Sequence, residues 1–232
     1  MKYIIPVLNA AVWGIWAALM LWFHYKTLAI VCYIAIVLAL PFESLVHELG
    51  HMLFGAIVRI KAVPRFSLFG SSSCKIIPRT DKHLRMRVLF TSFGGITVNF
   101  LFSIVGLVGL FIPEVAYLSV FLPASSYLFW LNVQPLYLGA DKTDGLVIHE
   151  FYHNEDSAKV TVAVLTAQAQ ILKGKRIEEV DKDLLFSQPV IREDDPAFIS
   201  LTELKRDYLL AVGQPEQAQI LTDRLEQLKE YL

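Results

Sequence analysis

Charged side chains are scarce in this 232-residue chain: Asp, Glu, Lys and Arg together make up 19% of it, while hydrophobic residues make up 55%. A typical soluble domain carries about 25% charged residues. The first 150 residues contain long uncharged runs, whereas residues 155–232 are rich in Glu, Lys, Asp and Gln. This distribution argues against one water-soluble globule and favours a membrane part followed by a soluble tail.

Cysteine is rare as well, with Cys32 in an apolar run and Cys74 in a loop. Two thiols placed in this way exclude a disulfide framework. The basic residues are not gathered on a soluble domain, so no nucleic-acid partner is expected. The first apolar run, residues 3–23, is longer than a signal-peptide core and no small-x-small cleavage site closes it. We therefore predict that this run is a retained membrane span.

Four membrane spans are predicted, because about 20 apolar residues in a helix cross the hydrocarbon core of a bilayer. The predicted spans are residues 3–23, 27–42 (continuing as 52–58), 88–113 and 115–140. The second span differs from the others because it carries Glu43, His47, Glu48 and His51 near its far end. Ionisable residues within a span are costly there and point to function.

The loop between the second and third spans is strongly basic, with Asp81 as its single acid. An excess of Lys and Arg marks the cytoplasmic side, so the N-terminus, this loop and the C-terminal tail are all predicted to be cytoplasmic. Within the loop, residues 61–77 mix β-branched and aromatic residues around a turn-forming Gly-Ser-Ser-Ser cluster. We predict a membrane-associated β-hairpin; a solvated loop that only sets topology is the alternative.

The tail shows helical apolar spacing at residues 158–173, 201–212 and 216–232, with Gly174 and Gly213 at helix ends. The surroundings of these two glycines resemble tetratricopeptide-type helix turns. The predicted fold class is therefore an all-α polytopic membrane protein with four transmembrane helices, the β-hairpin and a cytoplasmic, TPR-like helical domain. We predict a membrane-embedded core at residues 1–148 and a soluble helical domain at residues 149–232.

The residues His47-Glu48-Leu49-Gly50-His51 form an HExxH motif. Residues four apart lie on one face of a helix, so both imidazoles can reach one zinc ion. Glu48 lies about 100° round the helix, where it can take a proton from a zinc-activated water. This pattern predicts a zinc hydrolase site with Glu48 as the general base.

A third ligand is expected from Asp141 or Asp144, which follow the fourth span. Asp144 is the better candidate, because Gly145 allows close approach of the backbone, whereas Lys142 would compete for the charge of Asp141. A second HExxH begins at His149, and a soluble metalloprotease built on it, with Glu178 or Glu179 as third ligand, is a rival reading.

Two asparagines and a proline lie in the last two predicted spans. Asn99 follows two adjacent glycines, which suggest a close helix contact, and Pro135 is expected to bend the fourth span. Asn99 and Asn132 are predicted to hold an extended substrate strand beside the zinc. A role for Asn99 as a hydrogen bond between helices is the alternative.

Together these motifs resemble the site-2 protease family of intramembrane zinc metalloproteases. The matching elements are the HExxH of His47, the Gly-x-x-x-Asn that ends at Asn99, and the Asn-x-x-Pro that starts at Asn132, followed by Asp144-Gly145. The resemblance covers residues 27–145 and implies a compact member without a PDZ domain. It implies His47, His51 and Asp144 as zinc ligands and Glu48 as base. The chain departs from the family in the longer interval between proline and Asp-Gly.

The resemblance also implies cleavage of single-span membrane proteins or peptides, for signalling or for clearance of remnants. The expected setting is the lipid bilayer, with the compactness of the chain favouring a bacterial plasma membrane, and a cytoplasmic regulator is a further expected partner of the C-terminal domain. A catalytically silent membrane scaffold is the main alternative, although it has no need for Glu48 beside two histidines. A zinc-dependent transporter is less favoured, because the pattern suggests no ion path.

Overall fold

The protein is described by a computed structural model that covers residues 14, 15, 18, 19, 22, 26–66, 72–138 and 141–231. It is mostly helical, with two small strand pairs. The helices are α1 (Lys26–Ile57), α2 (Leu84–Phe111), α3 (Phe121–Val133), α4 (Asp144–His153), α5 (Asp156–Leu172), α6 (Lys182–Phe186), α7 (Pro196–Ala211) and α8 (Pro215–Tyr231), with 3-10 helices at Pro113–Val120 and Ile177–Glu179. The strands are β1 (Ile60–Arg65), β2 (Ser73–Pro78), β3 (Tyr137–Leu138) and β4 (Asp141–Lys142).

The chain divides into two compact units. The first holds the described residues of the ranges Met1–Phe54, Val63–Lys75 and Ser92–Gln134. The second holds Gly55–Ala62, Ile76–Thr91 and the described residues of Pro135–Leu232. The domain boundary predicted after residue 148 falls inside α4.

Two helical segments are long and apolar enough to cross a membrane among the residues that the structure describes: Leu84–Phe111 and Pro113–Val133. They correspond to the third and fourth predicted spans. The first predicted span falls largely outside the described residues. The second coincides with the start of α1, which is helical, and stays a prediction as a membrane crossing. Two of the four predicted spans therefore correspond to helices that could cross a membrane, and the count of four is not confirmed.

Proline shapes the end of the last span. Pro135 was expected to bend the fourth span, but α3 ends at Val133 and Gln134 adopts an extended backbone with φ −79° and ψ 140°. The ring of a proline disfavours helical geometry in the residue before it, which explains the extended Gln134. Pro135 therefore terminates the helix, and the fourth span is shorter than the predicted 115–140.

The strands β1 and β2 pair in a two-stranded sheet, as predicted for the basic loop. Its Gly-Ser turn lies mostly in residues 67–71, outside the described residues. Pro64 in β1 has no N–H to donate, which is tolerated at the edge of a sheet. The predicted hairpin pairing is thus present, and its association with the membrane stays a prediction.

The predicted tail helices are confirmed as α5, α7 and α8, each within a few residues of the expected bounds. Gly174 and Gly213 follow α5 and α7 with φ of 96° and 76°, the left-handed backbone that favours glycine after a helix. The core of this region holds apolar side chains from α5, α6 and α7: Val160, Val164, Ala167, Leu185, Ala197 and Leu201. A tetratricopeptide arrangement of these helices is not confirmed.

A buried ion network ties the start of the tail together. The Lys142 amino group contacts the carboxylates of Glu150 at 2.8 Å and Asp195 at 2.6 Å, and their side chains are 9%, 4% and 2% exposed, respectively. Ser157 accepts a hydrogen bond from Lys142 and donates one to Asp195. Burial alone lowers the pKa of Lys142, but the hydrogen bonds to the two carboxylates outweigh it, so the pKa is raised above its usual value.

Replacing Lys142 by methionine should destabilise this region by about 3–5 kcal/mol, because two buried carboxylates lose their cation. The thermal midpoint of the full chain and hydrogen exchange in α5 and α7 measure the effect. Lys159→Met is the matched control, since Lys159 pairs with Asp156 on the surface and should cost at most about 0.5 kcal/mol. A midpoint equal to that of the control would contradict the expectation.

The same network predicts a pH dependence. The folded pKa of Lys142 is raised above 10.5, the ordinary value. Its stabilisation is therefore fully present below that ordinary value and is lost as the pH rises through the higher folded value. The loss should disappear in Lys142→Met.

Candidate metal centre

Three ionisable side chains of α1 lie on one face of the helix, one turn apart: Glu43, His47 and His51. They are buried, as is Glu48, with 0%, 6%, 6% and 4% of their surfaces exposed, in that order. The intervening Leu49 is 46% exposed, so the polar residues face the protein and an apolar residue faces outward. This is the reverse of a water-soluble surface helix and agrees with a polar site inside a membrane protein.

The two histidine rings converge on one point. The Nε2 atoms of His47 and His51 lie 3.2 Å apart, and the rings are nearly perpendicular at 84°. A tetrahedral zinc ion that binds each nitrogen at about 2.0–2.1 Å holds the two nitrogens about 3.3 Å apart. The separation therefore fits a shared metal ion.

Two glycines allow α1 and α2 to approach closely at this level. A Cβ atom on Gly50 would lie 2.5 Å from the carbonyl oxygen of Gly94, and one on Gly94 would lie 2.3 Å from that of Gly50. Any larger residue at either position would force the backbones apart. The close contact predicted from the glycine pair in α2 is thus present.

Gly95, the neighbour of Gly94, faces the histidines. A Cβ atom at this position would lie 2.5 Å from Nε2 of His47 and 2.6 Å from Nε2 of His51. The two rings therefore pack directly against the backbone of Gly95, in the volume that a side chain would occupy. The two nitrogens can converge here only because residue 95 has no side chain, and their separation of 3.2 Å fits a metal ion that both would hold.

Asn99, one turn beyond Gly95 on α2, contacts the first histidine. Its Nδ2 atom lies 3.0 Å from Nδ1 of His47, and the residue is fully buried. Its Oδ1 atom is buried and has no hydrogen-bond partner among the described residues. Asn132, predicted with Asn99 to hold substrate, is half-buried and donates to the carbonyl of Leu128 within α3.

A polar contact between α1 and α3 was not foreseen from the sequence. Ser125 donates a hydrogen bond of 2.5 Å to Oε2 of Glu43, and both side chains are fully buried. Oε1 of Glu43 is buried without a hydrogen-bond partner in the described part of the chain. The position of Glu43 one turn before His47 suggested a partner of the metal ligands or a pore-facing carboxylate, but nothing in the sequence paired it with a serine 82 residues away.

The backbone loops out between Pro135 and Asp144. Strands β3 and β4 pair antiparallel, with Tyr137 opposite Lys142. Thr143 closes the loop, because its hydroxyl donates to the carbonyl of Leu136 at 3.0 Å and accepts from the Leu136 N–H at 3.1 Å. These hydrogen bonds bring Thr143 back to Leu136, the residue after Pro135. The additional residues therefore do not carry Asp144 away from the proline.

Asp144 occupies the first turn of α4, which Thr143 caps by accepting a hydrogen bond from the N–H of Leu146. The positive end of the helix dipole favours a carboxylate at this position. Ligand atoms of His47, His51 and Asp144 all lie within 4.8 Å of one another, so this group could hold a metal ion. It is the one such group of three among the described residues. Asp141, the other candidate, is exposed in β4.

The rings of His149 and His153 in the second HExxH lie 4.5 Å apart, but no third ligand joins them in a possible metal group among the described residues. Glu150, the glutamate of this motif, is 3% exposed and its carboxylate forms an ion pair with Lys142. It is therefore not available to take a proton from a water molecule at the protein surface. His149 is exposed and contacts Glu155 at 3.2 Å. Glu178 pairs with Arg176, and Glu179 accepts from the Arg176 backbone N–H. The rival reading of a soluble metalloprotease built on this motif is therefore wrong.

No family model, no curated protein and no solved structure matches this chain. Its function is therefore inferred from its own residues and their arrangement.

Proposed function

We propose that this protein is an intramembrane zinc metalloprotease similar to the site-2 proteases, which hydrolyses peptide bonds within or near single-span transmembrane segments. The observation that carries the proposal is the convergence of the His47 and His51 Nε2 atoms beside Gly95, on a helix where Glu43 and all three ionisable residues of the HExxH are buried. Asp144 completes a set of two nitrogens and one oxygen. Three protein ligands with an open fourth position are typical of catalytic zinc.

Each residue of the centre has its own task. When bound, zinc would supply the Lewis acidity that makes water nucleophilic near neutral pH. His47, His51 and Asp144 would hold it. Glu48, buried beside the histidines, would take a proton from the attacking water and pass it to the leaving amine. The burial of these groups raises the strength of every charge interaction among them.

The membrane setting agrees with the substrate class. The segments Leu84–Phe111 and Pro113–Val133 are long and apolar enough to span a bilayer, and α1 carries the motif beside them in sequence. A peptide bond at such a site belongs to a substrate that is itself in the membrane. We propose that the protein lies in a bacterial plasma membrane, with the basic loop and both termini on the cytoplasmic side. The helical tail would bind a cytoplasmic regulator there.

A transmembrane substrate must be unwound before attack, because helical hydrogen bonds shield its backbone. The sheet of β1 and β2 offers a strand to which an extended substrate would add. Ser44, on α1 between Glu43 and His47, donates a hydrogen bond of 2.9 Å to Ser72, the residue before β2. This contact holds the start of β2 near the candidate centre.

Breaking β2 should therefore impair substrate use and spare the metal. In Lys75→Pro, which removes an N–H from the strand, we expect kcat/KM for a single-span substrate to fall by at least about tenfold. Zinc content should stay at the wild-type value. Lys75→Ala, which keeps the N–H, is the matched control for loss of the charge. Unchanged cleavage by the proline variant would rule out strand addition on this sheet.

The proposal is tested by measuring zinc content and cleavage of a panel of single-span substrates by purified wild-type protein and Glu48→Gln in lipid nanodiscs. Stoichiometric zinc with cleavage that depends on Glu48 supports it. Bound zinc with no cleavage of any substrate favours the catalytically silent scaffold instead.

A further inference from the structure

The contact between Asn99 and His47 has a consequence for metal binding. The Asn99 amide lies 3.0 Å from Nδ1 of His47, on the side of the ring opposite to Nε2. Asn99 is 0% exposed, and its Oδ1 atom has no hydrogen-bond partner in the described part of the chain. A buried amide oxygen without a partner is unfavourable, so its presence here calls for a reason.

The chemistry of imidazole supplies that reason. A neutral histidine carries one proton, on either Nδ1 or Nε2, and a metal ion needs the unprotonated nitrogen. An amide N–H that donates to Nδ1 would leave the proton on Nε2, directed at the space beside Gly95. Metal binding through Nε2 requires the opposite arrangement, with a proton on Nδ1 and an acceptor facing it.

Asn99 can provide either arrangement without moving its backbone. A half-turn of the side-chain amide exchanges Oδ1 and Nδ2, two groups of nearly the same size. Oδ1 then accepts from Nδ1–H of His47, and Nδ2 takes the buried position that Oδ1 held. The Nε2 lone pair of His47 is left facing the point where the Nε2 of His51 also converges.

We propose that Asn99 is a positioning residue for the metal centre: its side-chain oxygen fixes the Nδ1-protonated form of His47, so that Nε2 binds the metal. This rests on the proposed zinc function of the same site and gives Asn99 a different role from the predicted contact with substrate. Full burial of Asn99 supports the change, because a substrate strand would need an accessible amide. Its direct contact with His47 sets it apart from a simple hydrogen bond between helices.

The test compares zinc binding by the full-length wild type and variants in nanodiscs, using competition with a chromogenic chelator and the visible spectrum after Co²⁺ substitution. In Asn99→Leu, which keeps the volume and removes the acceptor, the Kd for zinc should rise by about 10–100-fold. Asn99→Asp restores an acceptor and should return the Kd to within about threefold of wild type. Asn99→Ala serves the same purpose if the leucine variant does not fold.

Ser103→Ala is the matched control. Ser103 lies one turn further along α2, donates to the backbone carbonyl of Asn99 and accepts a longer hydrogen bond of 3.4 Å from Ser126. Its zinc Kd should equal that of wild type. If Asn99 had only a structural role, Asn99→Leu would have a lower thermal midpoint, by the same amount with zinc and with chelator, and an unchanged Kd for zinc. That result overturns the inference. If the wild type cleaves substrate and Asn99→Leu has the same Kd for zinc as the wild type, this inference alone is overturned. If the wild type binds no zinc, the proposed function is overturned as well.

Discussion

Glu48→Gln is expected to abolish cleavage of single-span substrates while leaving the zinc content at the wild-type value. Glutamine has nearly the same shape as glutamate but cannot accept a proton, and general-base catalysis contributes about 10²–10⁴-fold to rate. Glu48 lies outside the ligand group of His47, His51 and Asp144, so the metal should be retained. Zinc analysis of the purified protein and single-turnover cleavage in nanodiscs measure the two quantities separately.

Glu114→Gln is the matched control for this substitution. Glu114 is exposed in the 3-10 helix that follows α2, so the same chemical change should leave zinc and cleavage unaltered. If Glu48→Gln cleaves as fast as wild type, Glu48 is not the base and the hydrolytic reading of HExxH fails. If wild type holds zinc and cleaves nothing, the scaffold reading takes its place.

Gly95→Ala is expected to remove bound zinc and, with it, all cleavage. A Cβ atom at Gly95 would lie 2.4 Å from Cε1 of His47 and 2.6 Å from Nε2 of His51, well inside van der Waals contact. The added methyl group would fill the space beside both nitrogens and push the rings apart. We expect the Kd for zinc to rise by at least about 100-fold, at the upper end of what disturbed ligand orientation costs. Chelator competition and Co²⁺ spectra give the measurement.

Two other glycines separate metal displacement from general damage to the helices. Gly14→Ala should bind zinc normally, because a Cβ atom there meets nothing within 4 Å. Gly94→Ala should lower the thermal midpoint even in the presence of chelator, since its Cβ would meet the backbone of Gly50 at 2.3 Å. Gly95→Ala with a normal Kd for zinc would show that metal binding does not depend on the close packing of the two rings against Gly95.

Local periodicity explains what could be predicted from the sequence. The spacing of His47 and His51 needs only one helix to bring the two rings together, and the structure has them 3.2 Å apart at Nε2. The tail helices α5, α7 and α8 were likewise predicted from their apolar spacing and the glycines that follow two of them. The β1–β2 pairing followed from β-branched residues on either side of a Gly-Ser cluster.

The prediction failed where a local signal has more than one outcome. Pro135 was expected to bend the last span, but it ends α3 instead, because its ring disfavours helical geometry at Gln134. The second HExxH had the same letters as the first. The glutamate of the second motif, Glu150, forms an ion pair with Lys142, which lies in β4 outside the motif.

The sequence by itself determined the helix that carries HExxH, the apolar segments and the helical tail, because these depend on residues within one or two turns of each other. Only the tertiary structure decided which glycine packs against the two histidine rings, which amide contacts His47, and which serine donates a hydrogen bond to Glu43. It also decided that the chain from Leu136 to Thr143 closes on itself, so that Asp144 stays next to the proline despite the longer interval. The physical reason is that such contacts join residues up to 82 positions apart, and their pairing depends on how helices pack rather than on any local propensity.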